Sequence, residues 1–453
     1  MSSEPMRFGG HTRAVLTLGL PMIGGHLAQL AIGLTDTVMM GWYGVPELAA
    51  LTLAGSYFFT LFLLGSGFAW AIMPMVANFA AQDDEVQIRR ATRMALWLSL
   101  LFFVAVMPLF WFSGTILLML GQTEDSAALA QTYLRIAGWG MLPALGVMAF
   151  KSYLAGLEYT RVVLWVTIAA AVVNGFANYA FVFGNWGAPE LGISGAALAS
   201  VASSSAGFGL VVLYAVNLLP EHRIFVRFWR PDWEMFRQVF ALGLPIGLTT
   251  LAEVALFAAS AVLMGLLGTV PLAAHGVALQ ITTATFMIQM GLSNAATVRA
   301  GNALGRGDAA HLAMGAKVVV VLGAIGVALS IAAFLLIPEQ LIGLFVDSAD
   351  PSRDEIIAIG TRLLAMAALF QLVDAAQVLH LGLLRGLQDT RVPMVVAALA
   401  YWAVGMPAAW AFGIAWGMGG VGVWLGLTLG LTVAAVLLAW RFWTVGLRLV
   451  ARA

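Results

Sequence analysis

The sequence predicts an all-α polytopic membrane protein of about twelve transmembrane helices, arranged as two pseudo-symmetric six-helix lobes. Three observations carry this: the apolar composition, the gathering of basic residues on one side of the apolar runs, and an internal repeat. Of 453 residues, 61% are hydrophobic and only 10% charged, with mean hydropathy +0.94. Soluble domains run at roughly 45–50% apolar and about 25% charged. At about 20 residues per crossing, the length accommodates on the order of a dozen helices. The runs are continuously apolar and lack period-two alternation, so helices rather than barrel strands satisfy the backbone.

The apolar runs fall at 14–40, 48–80, 94–120, 130–155, 162–184 and 194–219, then at 238–267, 272–300, 314–337, 359–384, 393–415 and 421–441. The first is longer than a signal-peptide core, carries Asp36 and ends without a small-residue cleavage site, so it is expected to remain as a span. All of the 22 basic residues except Arg135, Arg353 and Arg362 fall on one side of the spans, the tail residues Arg441, Arg448 and Arg452 included. By the positive-inside rule that face is cytoplasmic, with both termini inside. Trp42, Trp186, Trp233 and Trp416 read as interface anchors.

The longest inner polar connector, PEHRIFVRFWRPDWEMFR, divides the chain into a lobe at 1–219, a connector at 220–237 and a lobe at 238–453. The lobes repeat each other. LGLP at 18–21 matches LGLP at 242–245, and Met40, Gly41 and Gly44 match Met264, Gly265 and Gly268, all at one ungapped offset of 224. Later, LAGLEYTRV at 154–162 resembles LRGLQDTRV at 384–392. Six spans per copy is an even number, so both copies enter the membrane in the same sense. Transporters use such repeats, with the substrate site between the lobes.

Three carboxylic acids stand alone inside the runs. Glu253 is near the middle of 242–268, and Thr249 and Thr250 occupy the preceding turn. A charged side chain at the bilayer centre costs about 2.5 to more than 10 kcal/mol, so such positions are kept for ion or substrate handling and turned away from lipid. Glu253 is therefore read as a proton acceptor or sodium ligand. Asp374 has Gln371 and Gln377 three residues to either side, on one helix face, which makes a coordination or relay surface. Asp36 lies closer to the outer end of the first span, and Asn174 and Asn178, four apart on the fifth, offer it amide partners.

Each acid occurs in one copy of the repeat. Glu253 stands where the first half has Gln29, Asp36 where the second has Ser260, and Asp374 where the first has Ala144. The structural alternative is a neutral acid hydrogen-bonded between helices, but a purely structural role would more naturally recur in both copies. Phe257, Phe286, Met287 and Met290 are candidates to line an adaptable apolar cavity. Pro21 and Pro245, equivalent in the repeat, are expected to bend the helices bearing Asp36 and Glu253. Pro74, Pro108, Pro143 and Pro407 recur inside the other runs.

Other classes fit poorly. Cys 0 excludes thiolate chemistry, and net charge +0 with scattered basic residues argues against nucleic acid as a partner. Gly417, Gly419 and Gly422 fit GxGxxG but lie between two spans with no strand before them, so no nucleotide site follows. No HExxH or Ser/His pairing suggests an enzyme, and no cofactor is expected beyond a coupling ion, sodium or proton. The working unit is expected to be a monomer.

LGLPMIGGHLAQLAIGLTDTVMMG in the first span, GLPIGLTTLAE in the seventh, TVRAGNALGRGD after the eighth, and FQLVD leading into LRGLQDTRVPM together resemble the multidrug and toxic compound extrusion (MATE) family, over essentially the whole chain. The resemblance implies two six-helix lobes around a central cavity, and an antiporter of the bacterial inner membrane exporting cationic amphiphilic compounds, such as dyes and fluoroquinolone-like drugs, against inward sodium or proton flow. It implies cation binding by Glu253 and Asp374 in the second lobe, and a first-lobe site of Asp36, Asn174 and Asn178. Some relatives have a tyrosine one turn before the tenth-span acid, where this chain has Phe370. A flippase for lipid-linked precursors, from the same wider superfamily, is the alternative. It would call for a basic cavity, whereas the spans here carry acids.

Overall fold

In the computed structural model, residues 6–347 and 350–452 are described, the side chain of Arg452 excepted. Among the described residues, twelve helices are long and apolar enough to cross a bilayer. Spans 1 to 6 are Phe8–Tyr43, Val45–Ala81, Glu85–Trp111, Glu124–Gly156, Thr160–Phe183 and Ile193–Leu218. Spans 7 to 12 are Trp233–Leu267, Thr269–Arg306, Ala309–Leu336, Arg353–Gly386, Arg391–Ala415 and Gly419–Ala451.

Hydropathy marks the part of a helix that meets lipid; capping marks where the helix stops. Span 3 was expected at 94–120, yet it starts at Glu85, where Asp84 accepts a hydrogen bond from the Gln87 amide at 3.0 Å. It ends at Trp111, and a separate short helix, Ser113–Met119, takes up the rest of the apolar run. Arg89, Arg90 and Arg93 thus ride in the first turns of the helix, and Lys151, Arg299 and Arg385 lie inside the last turns of spans 4, 8 and 10 rather than in connections. Gly307, at φ 64°, takes the left-handed turn that closes span 8.

Packing forms two compact units, Gly24–Gly247 and Met1–Ile23 with Leu248–Ala453. The change falls two residues after Pro21 and two after Pro245, so spans 1 and 7 each contribute one segment to each unit. Close backbone approach holds these segments. In the Gly24–Gly247 unit, a Cβ on Gly243 would lie 2.7 Å from Phe68 Cα, and one on Gly247 would lie 2.6 Å from the Leu64 carbonyl. In the other unit, a Cβ on Gly291 would lie 2.8 Å from the Ile23 nitrogen. Gly291 is the repeat equivalent of Gly67, which lines the first of these seams, so one glycine packing scheme serves both copies.

Pro21, Pro108 and Pro245 sit inside helices. Pro74 and Pro143 instead occupy the first turns after breaks at Ala71 and at the 3-10 turn Gly138–Gly140, where a missing donor costs least. Pro407 lies between two π-helical stretches, Ala400–Gly405 and Ala411–Ala415. A third, Phe442–Gly446, also falls in the Leu248–Ala453 part of the chain. The widened turn frees backbone groups and is often found beside functional side chains.

Candidate functional sites

The Gly24–Gly247 unit brings Asp36 together with Asn174 and Asn178. The two asparagines share a face of span 5 and are fully buried. Both direct an amide N–H at one oxygen of Asp36: Asn174 Nδ2 donates to Oδ1 at 3.0 Å and Asn178 Nδ2 at 2.6 Å. Asn178 Nδ2 also reaches Asn174 Oδ1 at 3.2 Å, which leaves Asn178 Oδ1 buried with no donor. Two amide donors thus converge on one carboxylate oxygen. Tyr133 of span 4, bonded to Ser200 at 3.3 Å, lies within electrostatic range of Asp36 and escaped the sequence reading.

The other unit gathers Glu253 and Asp374 with opposite chemistry. Asp374 is 2% exposed, and its Oδ1 receives no hydrogen bond. One turn to either side, Gln371 Oε1 and Gln377 Oε1 are also buried acceptors without donors, and Gln289 Oε1 on span 8 is a fourth. The amide orientation of Gln371 is set by its neighbours, since Nε2 donates to the Thr282 carbonyl at 3.2 Å and to Thr285 Oγ1. Gln289 Nε2 likewise donates to the Gly323 carbonyl, at 3.3 Å. A carbonyl only accepts, so both side-chain oxygens are left over.

Gln377 Nε2 donates to the hydroxyl of Tyr401 at 2.7 Å. Tyr401 is fully buried, begins its π-helical stretch one residue in, and lies within electrostatic range of Glu253, Asp374 and Arg385. The tyrosine was missed, although a phenol in the middle of an apolar run is itself a signal. It supplies a hydroxyl from span 11 where Phe370 has none. Phe370 instead packs edge-on against Phe257 and Trp424, with centroids 5.9 and 5.5 Å apart.

Phe257 is thus half-buried in an aromatic cluster, while Phe286, Met287 and Met290 are partly exposed along span 8. At the repeat equivalent of Asp36, Ser260 bonds the Phe257 carbonyl at 2.7 Å and His275 Nε2 at 3.3 Å, and His275 Nδ1 accepts from Trp424 at 3.1 Å. That imidazole is neutral and fully engaged. His380 is likewise satisfied, by the Ala376 carbonyl at 2.7 Å and Trp443 at 3.2 Å.

Twelve spans in a repeated architecture, with solitary acids beside buried amides in both packing units, define a polytopic helical membrane protein. The chain belongs to the MatE family, whose model matches residues 21–180 and 245–411. It is 47% identical to the probable multidrug resistance protein NorM of Rhizobium meliloti (strain 1021) over 95% of this chain and 93% of that one. It is 44% identical to the protein of the same name from Agrobacterium fabrum (strain C58 / ATCC 33970), with the same coverage. Its fold matches the crystal structure of the eukaryotic MATE transporter AtDTX14 with TM-score 0.88, at 19% identity and covering 98% of both chains.

Proposed function

We propose that the protein is a multidrug efflux transporter that exports cationic amphiphilic compounds in exchange for inward sodium ions or protons. One observation carries the reading: the donorless oxygens of Gln371, Asp374 and Gln377 along one face of span 10, beside Glu253. Oxygen acceptors without donors suit a hard cation or an incoming proton. The names of the relatives agree with efflux.

Exchange follows from competition for the same charge. With Glu253 and Asp374 ionised, a bulky organic cation is attracted. A small cation entering from outside neutralises them, weakens that attraction and releases the drug, and its own binding permits the return step. One charge crossing 100 mV supplies about 2.3 kcal/mol before any concentration gradient. Pro21 and Pro245, next to the two changes of packing partner, are the bending points of the cycle. The protein works in a bacterial inner membrane with both termini on the cytoplasmic face.

The test is drug exchange in proteoliposomes with pH and sodium gradients imposed separately and ethidium as reporter. Drug efflux that follows one gradient, and is lost in both Glu253→Gln and Asp374→Asn, is expected. Undiminished exchange in both variants removes the mechanism.

A further inference from the structure

The stretch joining spans 6 and 7 belongs to neither acid site, yet it is held in place. Arg93 donates to the Ile224 carbonyl at 3.3 Å and to the Val226 carbonyl at 2.5 Å, and Trp97 Nε1 donates to the Phe228 carbonyl at 2.8 Å while its ring stacks on Phe228 at 5.5 Å. Tyr153 bonds His222 at the start of the same stretch. All of these residues belong to the Gly24–Gly247 unit.

Within this frame the chain makes the same turn twice. Arg223-Ile-Phe-Val closes with the Val226 amide on the Arg223 carbonyl at 3.1 Å, and Arg227-Phe-Trp-Arg with the Arg230 amide on the Arg227 carbonyl at 3.0 Å. Both turns open on an arginine in the left-handed region, φ 43° and 54°, a conformation non-glycine residues adopt at a cost. In each, the second residue turns inward, Ile224 buried and Phe228 half-buried; of the third residues, Phe225 keeps one side on the buried Phe150 ring at 6.1 Å, while Trp229 is exposed.

Charge is sorted as well. Asp232 and Glu234, which could have neutralised these arginines, are both engaged by Arg90 of span 3, at 2.5 and 2.8 Å. Arg223, Arg227, Arg230 and Arg237 are exposed, and none forms an ion pair among the described residues. Beside them Trp229 is 76% and Trp233 65% exposed. The stretch joins two membrane-crossing helices, so it lies at a bilayer surface.

We propose that the 220–237 connector is a binding site for anionic phospholipid, the arginines holding headgroup phosphates and Trp229 and Trp233 seated among the upper acyl chains. Basic residues at an anionic surface are worth about fivefold each in affinity, and tryptophan settles at the level of the headgroups. The exposed indoles select a lipid over free phosphate, which offers them nothing to bury. Arg90 keeps Asp232 and Glu234 out of the way, and Glu221 is the one other acid of the connector, against four exposed arginines. The site is independent of which compound the protein transports.

Native mass spectrometry of the purified full chain tests this with phosphatidylglycerol and phosphatidylcholine of matched acyl chains. The triple variant Arg223→Gln, Arg227→Gln, Arg230→Gln should lose phosphatidylglycerol affinity about 100-fold with phosphatidylcholine adducts unchanged. Wild-type retention of phosphatidylglycerol in the variant, or equal loss of both lipids, overturns the proposal. So does displacement of the lipid by millimolar glycerol phosphate, which would make phosphate alone the ligand. On the unmutated protein, preference for phosphatidylglycerol should fall steeply as salt is raised. A salt-independent preference overturns the proposal whether or not the variant folds.

Discussion

Asp36 and Asp374 are both aspartates within membrane helices, and their surroundings are opposites. Asp36 is met by two amide donors on a single oxygen, whereas Asp374 is flanked by amide oxygens that receive nothing. The first arrangement already supplies its acceptor with donors. The second is complete only when something positive arrives. One chemical group placed in two repeats has thus been given two tasks: a carboxylate already partnered, and one that waits for a partner.

The sharpest way to break this contrast is to neutralise both acids separately. Asp374→Asn should lower cation-driven ethidium exchange about 100-fold, since losing one member of a buried charged set costs about 2–5 kcal/mol. A loss in Asp36→Asn that matches it in every gradient condition would show that the two sites do the same work.

Removing the donors comes next. Asn174→Ala and Asn178→Ala each delete one hydrogen bond to a charged group, worth about 1.5–3 kcal/mol, so the concentration of coupling cation giving half-maximal exchange should shift tenfold or more. Because both bonds end on Asp36 Oδ1, the double variant should fall short of the product of the singles. Strict multiplicativity would separate the asparagines from that shared atom.

Tyr401→Phe is a smaller change. It deletes one neutral hydrogen bond, to Gln377, so about a fivefold shift in half-saturating cation is expected, with maximal rate retained. A collapse as deep as that of Asp374→Asn would put the phenol in the ion path itself.

The smallest effect concerns a carboxylate outside the spans. Asp232 has a full positive partner, and the guanidinium hydrogen bond of Arg90 holds its carboxyl below the usual carboxylate range. A depressed folded value means the contribution is present above the ordinary carboxylate pKa of about 3.9 and is lost as pH falls through the folded one. Thermal unfolding in detergent should therefore show Asp232→Asn less stable than the parent at pH 7 by no more than about 1 kcal/mol, with the gap closing towards pH 3. A gap that widens on acidification would reverse the sign of that interaction.

Much of the architecture was readable in advance because lipid imposes it locally. Ordinary globular elements owe their apolar residues to partners far along the chain, but a span needs only its own twenty. Helix ends were harder. Span 3 begins at a cap well ahead of its apolar run, because Asp84 and not hydropathy decides where the first turn closes. For the acid sites, the helical spacing of Gln371, Asp374 and Gln377 announced a shared face, and the four-residue step from Asn174 to Asn178 did the same. Tyr401 and Tyr133 stayed hidden because each bonds a residue of another helix, Gln377 and Ser200, which spacing within one helix does not show.

From the amino-acid order alone came the duplication, the twelve crossings and the three acids set within them, the crossings because the energetics of each residue against hydrocarbon are local. Tertiary structure alone decided what surrounds each acid: which amides aim nitrogen and which aim oxygen, and which hydroxyl arrives from span 11. It also decided where spans 1 and 7 change packing partners, two residues beyond Pro21 and Pro245. Hydrogen bonds and close glycine contacts depend on groups brought within a few ångströms by folding, and linear spacing fixes such distances only within a single helix.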